Sequence, residues 1–113
     1  MARSFGEKKL WMFVKGFMGR SNRCRILAYR AATKALLNSY ISRRLKKRDM
    51  RKLWITRVNA GTREYGLNYS RFIKGLVDDH ILLDRKSLAE LAMTEPLSFH
   101  ALVQRVKEVR GLA

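Results

Sequence analysis

The chain has 113 residues, with 25 Lys and Arg against 9 Asp and Glu, a formal net charge of +16, one cysteine and one proline. That length holds one domain of modest size, or a smaller domain plus an extension. The lone Cys24 excludes an intrachain disulfide and a Cys-based metal cluster, and the longest apolar run, LWMFV at residues 10–14, falls far short of the roughly 20 residues that cross a bilayer.

The charge is unevenly placed. Residues 1–57 carry 17 basic and 2 acidic residues, a net +15, whereas residues 58–113 carry 8 and 7, a net +1. A solvated surface normally mixes signs to limit self-repulsion, so a polyanionic partner is expected for the first part only. Residues 1–57 are accordingly read as a basic extension and residues 58–113 as a small globular domain.

The opening MARSFGEKKLWMFVKGFMGR is basic, nearly free of acids and aromatic. It is compatible with an organellar transit peptide or with the front of a basic arm. Within it, EKKLWMFVKGF predicts a helix, with Trp11, Val14 and Met18 in one row and Leu10, Phe13 and Phe17 in the next. Gly16, Gly19, Ser21 and Asn22 then supply the turn and capping residues that end one helix and start another.

From about Arg23 to Tyr65 there is no proline and a single glycine, Gly61, so one long helix is expected, with Gly61 the place for a bend. Some forty helical residues reach on the order of 60 Å, more than the width of a small domain. Cys24 reads as a small apolar residue on this helix. Its segment YISRRLKKRDMRKLW, residues 40–54, holds seven Lys and Arg and one acid, Asp49. At about 100° per residue, Arg43, Arg44, Lys47, Arg48, Arg51 and Lys52 spread over roughly half the circumference and Lys46 lies elsewhere. Leu45, Met50, Leu53 and Trp54 fill the gaps without forming the continuous apolar stripe that docking on a core requires. The segment is therefore a solvated charge run or the contact surface for a polyanion.

Gly66 is expected to close that helix. Three short amphipathic units follow: NYSRFIKGLVDDH, with Phe72, Ile73, Leu76 and Val77 on one side; LDRKSLAELA, capped by Asp84 with Leu88, Leu91 and Ala92 inward; and TEPLSFHALVQRVKEV. In the last, Thr94 or Glu95 caps, Pro96 sits in the first turn, and Phe99, Leu102, Val103 and Val106 repeat at helical spacing. No strand pattern or internal repeat is present. The fold class is all-α, a long basic helical arm followed by a small C-terminal helical domain.

Catalysis finds no support. His80 and His100 are read on separate helices without a Cys, an HExxH spacing or a carboxylate partner. Adjacent Asp78 and Asp79 point about 100° apart on a helix and make a poor dyad. GFMGR follows a helix and lacks the ending of a phosphate loop. No enzyme, catalytic residue, metal, cofactor or small-molecule substrate is expected.

The first part does carry backbone chemistry for nucleic acid. Lys and Arg neutralise phosphates, Arg also stacks on bases, and Trp11, Phe13, Phe17, Tyr29, Tyr40 and Trp54 interleave with them. Packing is the competing reading of these aromatics. It is preferred for Trp54, which falls beside Leu53, Ile55 and Val58; Tyr40 stays open to either. A duplex reader places its basic residues on a short recognition helix, and DRKSLAELA is a weak one. An arm basic on several sides suits burial among several RNA strands.

The stretches KGFMGR, RRLKKRDMRKLWITRVNAGTREYGLNYSRFIKGL, LDRKSLAELA and EPLSFHALV resemble the bacterial-type L-twenty family of large-subunit ribosomal proteins, from about Lys15 to Val109. The resemblance implies a helical arm threaded into large-subunit rRNA, an all-α C-terminal domain at the subunit surface and a role early in assembly. It implies rRNA contacts by Lys15, Arg20, Arg23, Arg43, Arg44, Lys46, Lys47, Arg48, Arg51, Lys52, Arg57 and Arg63, and on the globular side by Asn59, Tyr69, Ser70, Arg71, Arg85 and Lys86. Neighbouring large-subunit proteins would be further partners, and no membrane.

The chain also departs from the pattern. Only fourteen residues precede Lys15, where family members have a longer basic stretch, and NSYISRR stands where the bacterial pattern reads roughly YAYRDRR. GRSNRC, KKRDMRKLW, NAGTR and EPLSF look more like mitochondrial members. A mitochondrial ribosome is the expected location, with bacterial cytoplasm or plastid as alternatives. A likeness starting at residue 15 leaves no room for a long presequence, so an internal signal or an organelle-encoded gene is expected.

Two readings from other classes compete. One is a helix-turn-helix type DNA-binding regulator using the three short helices. The other is a basic amphipathic helix that binds an acidic protein or an anionic membrane.

Overall fold

The computed structural model describes residues 6–112, and among them every regular element is helical. In chain order these are α1 (Glu7–Phe13), a 3₁₀ turn (Gly19–Asn22), α2 (Arg25–Glu64), α3 (Tyr69–Asp78), α4 (Arg85–Thr94) and α5 (Pro96–Val109). The all-α expectation of a long helix followed by a small helical domain holds. The basic start MARSF lies outside the described residues. The chain divides into two compact units, one up to Lys46 and one from Lys47.

In the first unit, Leu10 and Val14 are buried with Ala28 and Ala32 of α2, and Trp11 and Phe17 pack around them. Alanines four apart share one helix face and leave a smooth strip against which larger side chains close. Helix α1 is shorter than predicted. The chain leaves it after Phe13, and Gly16 (φ 85°) and Gly19 (φ 65°) take left-handed backbone that other residues enter at a cost. The row expected from Trp11 through Val14 therefore does not reach Met18, which is 92% exposed. Cys24 also falls outside a helix: it immediately precedes α2, and its carbonyl accepts the Ala28 N–H at 2.8 Å.

In the second unit, Val58 of α2, Phe72 and Leu76 of α3, Leu88 of α4, and Phe99, Val103 and Val106 of α5 form the core. The rings of Phe72 and Phe99 tilt together with centroids 5.5 Å apart. Trp54 packs against this core, as the sequence suggests. Val77 does not: it is exposed, and Gly75 takes the place on the inner face. A Cβ on Gly75 would lie 2.3 Å from Cγ1 of Val106, so this glycine is what lets α3 and α5 approach. Gly61 has a related role, since its Cβ would meet Cε1 of Phe99 at 3.0 Å.

Three helices end in the same way. The residue after the last turn takes φ of 77° at Gly66, 55° at His80 and 59° at Gly111. The next N–H returns five residues: Leu67 to Thr62 at 3.0 Å, Ile81 to Leu76 at 2.9 Å and Leu112 to Lys107 at 2.8 Å. This is the Schellman closure, which satisfies carbonyls left over at a helix end and brings an apolar residue back onto the helix. Leu67 is buried in the core, and Ile81 and Leu112 pack against it. Each closure therefore also fixes where the chain heads next.

The helix starts are held as well. Asn68 accepts the Arg71 N–H at 3.0 Å and Asp84 accepts the Ser87 N–H at 2.9 Å. Pro96 opens α5, where the Glu95 carboxylate accepts from the Ser98 hydroxyl at 3.0 Å rather than from a backbone N–H.

Candidate nucleic-acid interface

The basic stretch of α2 has no core to lie on. Residues 36–53 are all exposed, and they include Arg43, Arg44, Lys46, Lys47, Arg48, Arg51 and Lys52. Helical stability in proteins comes mostly from packing an apolar face, and these five turns have none. What orders the cations is local. Arg43 donates to the Ser39 hydroxyl at 2.9 Å, and Arg44 donates to the Tyr40 hydroxyl at 3.0 Å, its guanidinium carbon 5.2 Å from the ring centroid. Both pairs are four residues apart, the spacing at which helical side chains meet. Tyr40 is exposed and is not a core residue.

The first unit adds Lys15, Arg20 and Arg23, all exposed, with Arg20 in the 3₁₀ turn. Arg25, Arg30 and Lys34 are equally exposed on α2. They are missing from the set implied by the resemblance, although their placement in the charged half was signal enough.

In the second unit the candidate residues converge from three helices. Asn59 of α2 accepts the backbone N–H of Tyr69, the first residue of α3, at 3.2 Å, and the Arg63 Nε–H at 3.3 Å. The Tyr69 hydroxyl accepts from Nε of Arg85, the first residue of α4, at 2.7 Å. Arg71 is exposed on the first turn of α3, and its carbonyl accepts from Arg110 at 3.2 Å. Arg63 and Arg71 share an open hollow of about 260 Å³ with Gly66, Leu67 and Asn68. Asn68 is absent from the sequence-based set; an Asn directly before an amphipathic helix is the cap signature that marks it. Two arginines beside the N–H groups at a helix start make a place where an anion is favoured.

Ser70 and Lys86 are exposed and stand outside that chain of bonds. Arg57 is half-buried and lies apart, on the rim of a hollow of about 210 Å³ that includes Gly61, Met93 and Phe99. Asn59 and Tyr69 thus hold the domain together whatever else they touch.

Asp79, Asp84 and Arg105 serve structure. Asp79 is held below the usual carboxylate range, first by its hydrogen bonds from Arg105, at 2.8 and 3.0 Å. The same contacts raise Arg105. Ser87 lowers Asp84, through its side chain first and its backbone N–H second. His80 is not on a helix but in the left-handed turn after α3, and His100 stacks on Tyr65 with centroids 4.5 Å apart. Among the described residues no group of His, Cys, Asp and Glu could hold a metal ion, and no helix is long and apolar enough to cross a membrane.

A helix whose bare middle carries seven exposed cations, joined to a small basic-edged helical domain, defines a structural polyanion-binding protein of the kind built into ribonucleoprotein particles. Residues 1–102 match the family model of ribosomal protein L20, and the chain belongs to that family. The match takes in the first fourteen residues, which the resemblance in sequence had left out. The chain is 49% identical to the large ribosomal subunit protein bL20 of Rhodospirillum rubrum over 101 residues, 89% of this chain and 81% of the relative. It is 46% identical to that of Cytophaga hutchinsonii over 102 residues (90% and 89%) and 44% identical to that of Elusimicrobium minutum over 108 residues (96% and 92%). The family is one of ribosomal structural proteins and not of enzymes. These relatives are bacterial, and nothing in them favours a DNA-binding regulator.

Proposed function

We propose that the chain is a structural constituent of the large ribosomal subunit, which binds and organises rRNA during assembly. The observation that carries this reading is the run of eighteen consecutive exposed residues, 36–53, bearing seven cations on a helix with no core behind it. In water such a surface repels itself; among RNA strands each cation neutralises a phosphate and releases counterions. In this reading Lys15, Arg20 and Arg23 extend the contact, and Arg63, Arg71, Arg85 and Lys86 dock the helical domain on folded RNA by shape and backbone. Neighbouring proteins of the subunit are further partners. The relatives' printed name and the family support the subunit assignment.

Mass spectrometry of purified large subunits tests it. Arg85→Ala with Lys86→Ala should join the subunit at reduced occupancy, whereas removal of residues 1–50 should abolish joining. Full occupancy without the arm, or absence of the parent chain from the subunit, refutes the reading. A mitochondrial location is the finer proposal. It is supported by the blocks GRSNRC, KKRDMRKLW, NAGTR and EPLSF, and co-fractionation with bacterial or plastid ribosomes instead would refute it.

A further inference from the structure

Part of the exposed surface is unsuited to RNA. The turn from α3 to α4 reads VDDHILLD, residues 77–84, with three aspartates and no Lys or Arg in a chain of net charge +16. Its backbone is set by the closure at His80: the Ile81 N–H returns to the Leu76 carbonyl at 2.9 Å, Ile81 packs on the core, and the next residue faces out. Leu82 is 96% exposed, Val77 64% and Leu83 41%. A single exposed leucine needs no explanation, but three exposed apolar side chains within seven residues, at the end of α3 and in the turn after it, are what an interaction surface offers.

The charges around the turn select the occupant. Asp78 is exposed beside the apolar group, Asp84 caps α4, and Asp79 is clasped by Arg105. Lys74 and Lys86 stand at the margins, and Arg85 is engaged by the Tyr69 hydroxyl. Inside those margins Arg105 offsets Asp79, and Asp78 and Asp84 leave the charge negative. A phosphate backbone laid over Leu82 would meet carboxylates where it needs cations, whereas a cationic protein segment finds apolar contact and opposite charge together.

We propose that the apolar turn of residues 77–84 is the docking surface for a basic, apolar-bearing segment of a neighbouring protein in the same particle, and not an RNA contact. The particle rests on the ribosomal reading above; the surface rests on the exposure of Val77, Leu82 and Leu83 and on the charge around them.

The test places a benzophenone-bearing amino acid at Leu82 in the full chain, irradiates the cells and purifies large subunits; the same label at Arg48 is the control. So exposed a position tolerates the replacement without touching the core. The Leu82 label should link to a Lys- and Arg-rich peptide of another large-subunit protein, and the Arg48 label to RNA. Adding Asp78→Lys should lower the Leu82 adduct by about fivefold, the size of an exposed charge-pair effect. The proposal is overturned if the Leu82 label links to RNA or to a second copy of this chain, if it links to nothing while the Arg48 label reaches RNA, or if Asp78→Lys leaves the yield unchanged. If the Arg48 label finds no RNA, the ribosomal reading fails and the docking partner with it.

Discussion

Gly75→Ala puts the packing of α3 on α5 to a quantitative test. The new Cβ would lie 2.3 Å from Cγ1 of Val106 and 3.3 Å from Cδ of Arg110, whereas carbon atoms settle at about 3.5 to 4.0 Å. One helix must move by more than about 1 Å, since Val106 is fully buried and a valine in a helix has one favoured rotamer. Overpacking of this kind costs up to about 3 kcal/mol, and the better helix propensity of alanine returns about 1 kcal/mol. A net loss of about 2 kcal/mol is expected. Val106→Ala alone should also cost about 2 kcal/mol, for two lost carbons and a partial cavity. The double variant should cost well under the sum, because the methyl added in place of Gly75 then occupies the space that Val106 vacates; the coupling should reach about 2 kcal/mol. Urea unfolding of the full chain in a Trp11→Phe background, followed by Trp54 fluorescence, reads the second unit, since Trp54 packs on its core. Stability at or above the parent for Gly75→Ala, or additivity within about 0.5 kcal/mol, would refute the close approach.

Three further outcomes are expected. His80→Gly should stabilise the second unit by about 1 kcal/mol, because a non-glycine residue held at φ 55° carries that strain; an unchanged urea midpoint would contradict it. Asp79 has a lowered folded-state pKa, so its contribution is present above the unfolded value of about 3.9 and is lost as pH falls through the lower folded value; Asp79→Asn should flatten that acid limb by lowering urea stability across the neutral range while leaving the acid end little changed. If the arm neutralises on the order of ten phosphates, log affinity for rRNA should fall with log salt at a slope of about −7 to −9, and changing Arg43, Arg44, Lys46, Lys47, Arg48, Arg51 and Lys52 to Gln should remove most of it; retained slope and affinity would mean a solvated face.

Long-range order in this chain is legible where local rules act alone. The span of α2 follows from the lack of proline between Arg23 and Tyr65, and the start of α4 from Asp84. The inner face of α3 does not follow from its apolar residues. Phe72, Ile73, Leu76 and Val77 point to one arc, but the close approach of α5 turns Gly75 inward and leaves Val77 in solvent. The end of α1 is misread for a similar reason: periodicity carries through Val14 to Met18, and only the left-handed backbone at Gly16 stops it. For the interface, clustered charge identifies the cations of α2 without help. The bond from the Tyr69 N–H to Asn59 is invisible in sequence, because it forms only after the chain reverses at Gly66.

The bare middle of α2 has a consequence for the life of a newly made copy. A helix without packing opens at free energies far below that of global unfolding, and residues 43–52 offer seven basic cleavage points whenever it does. A trypsin-like protease reaches them in a free chain, whereas a bound polyanion covers them. Under the ribosomal reading proposed above, surplus copies are expected to be degraded before those seated on RNA, so that supply would follow demand without a dedicated sensor. Pulse-chase half-lives that are equal for free and particle-bound copies would speak against it.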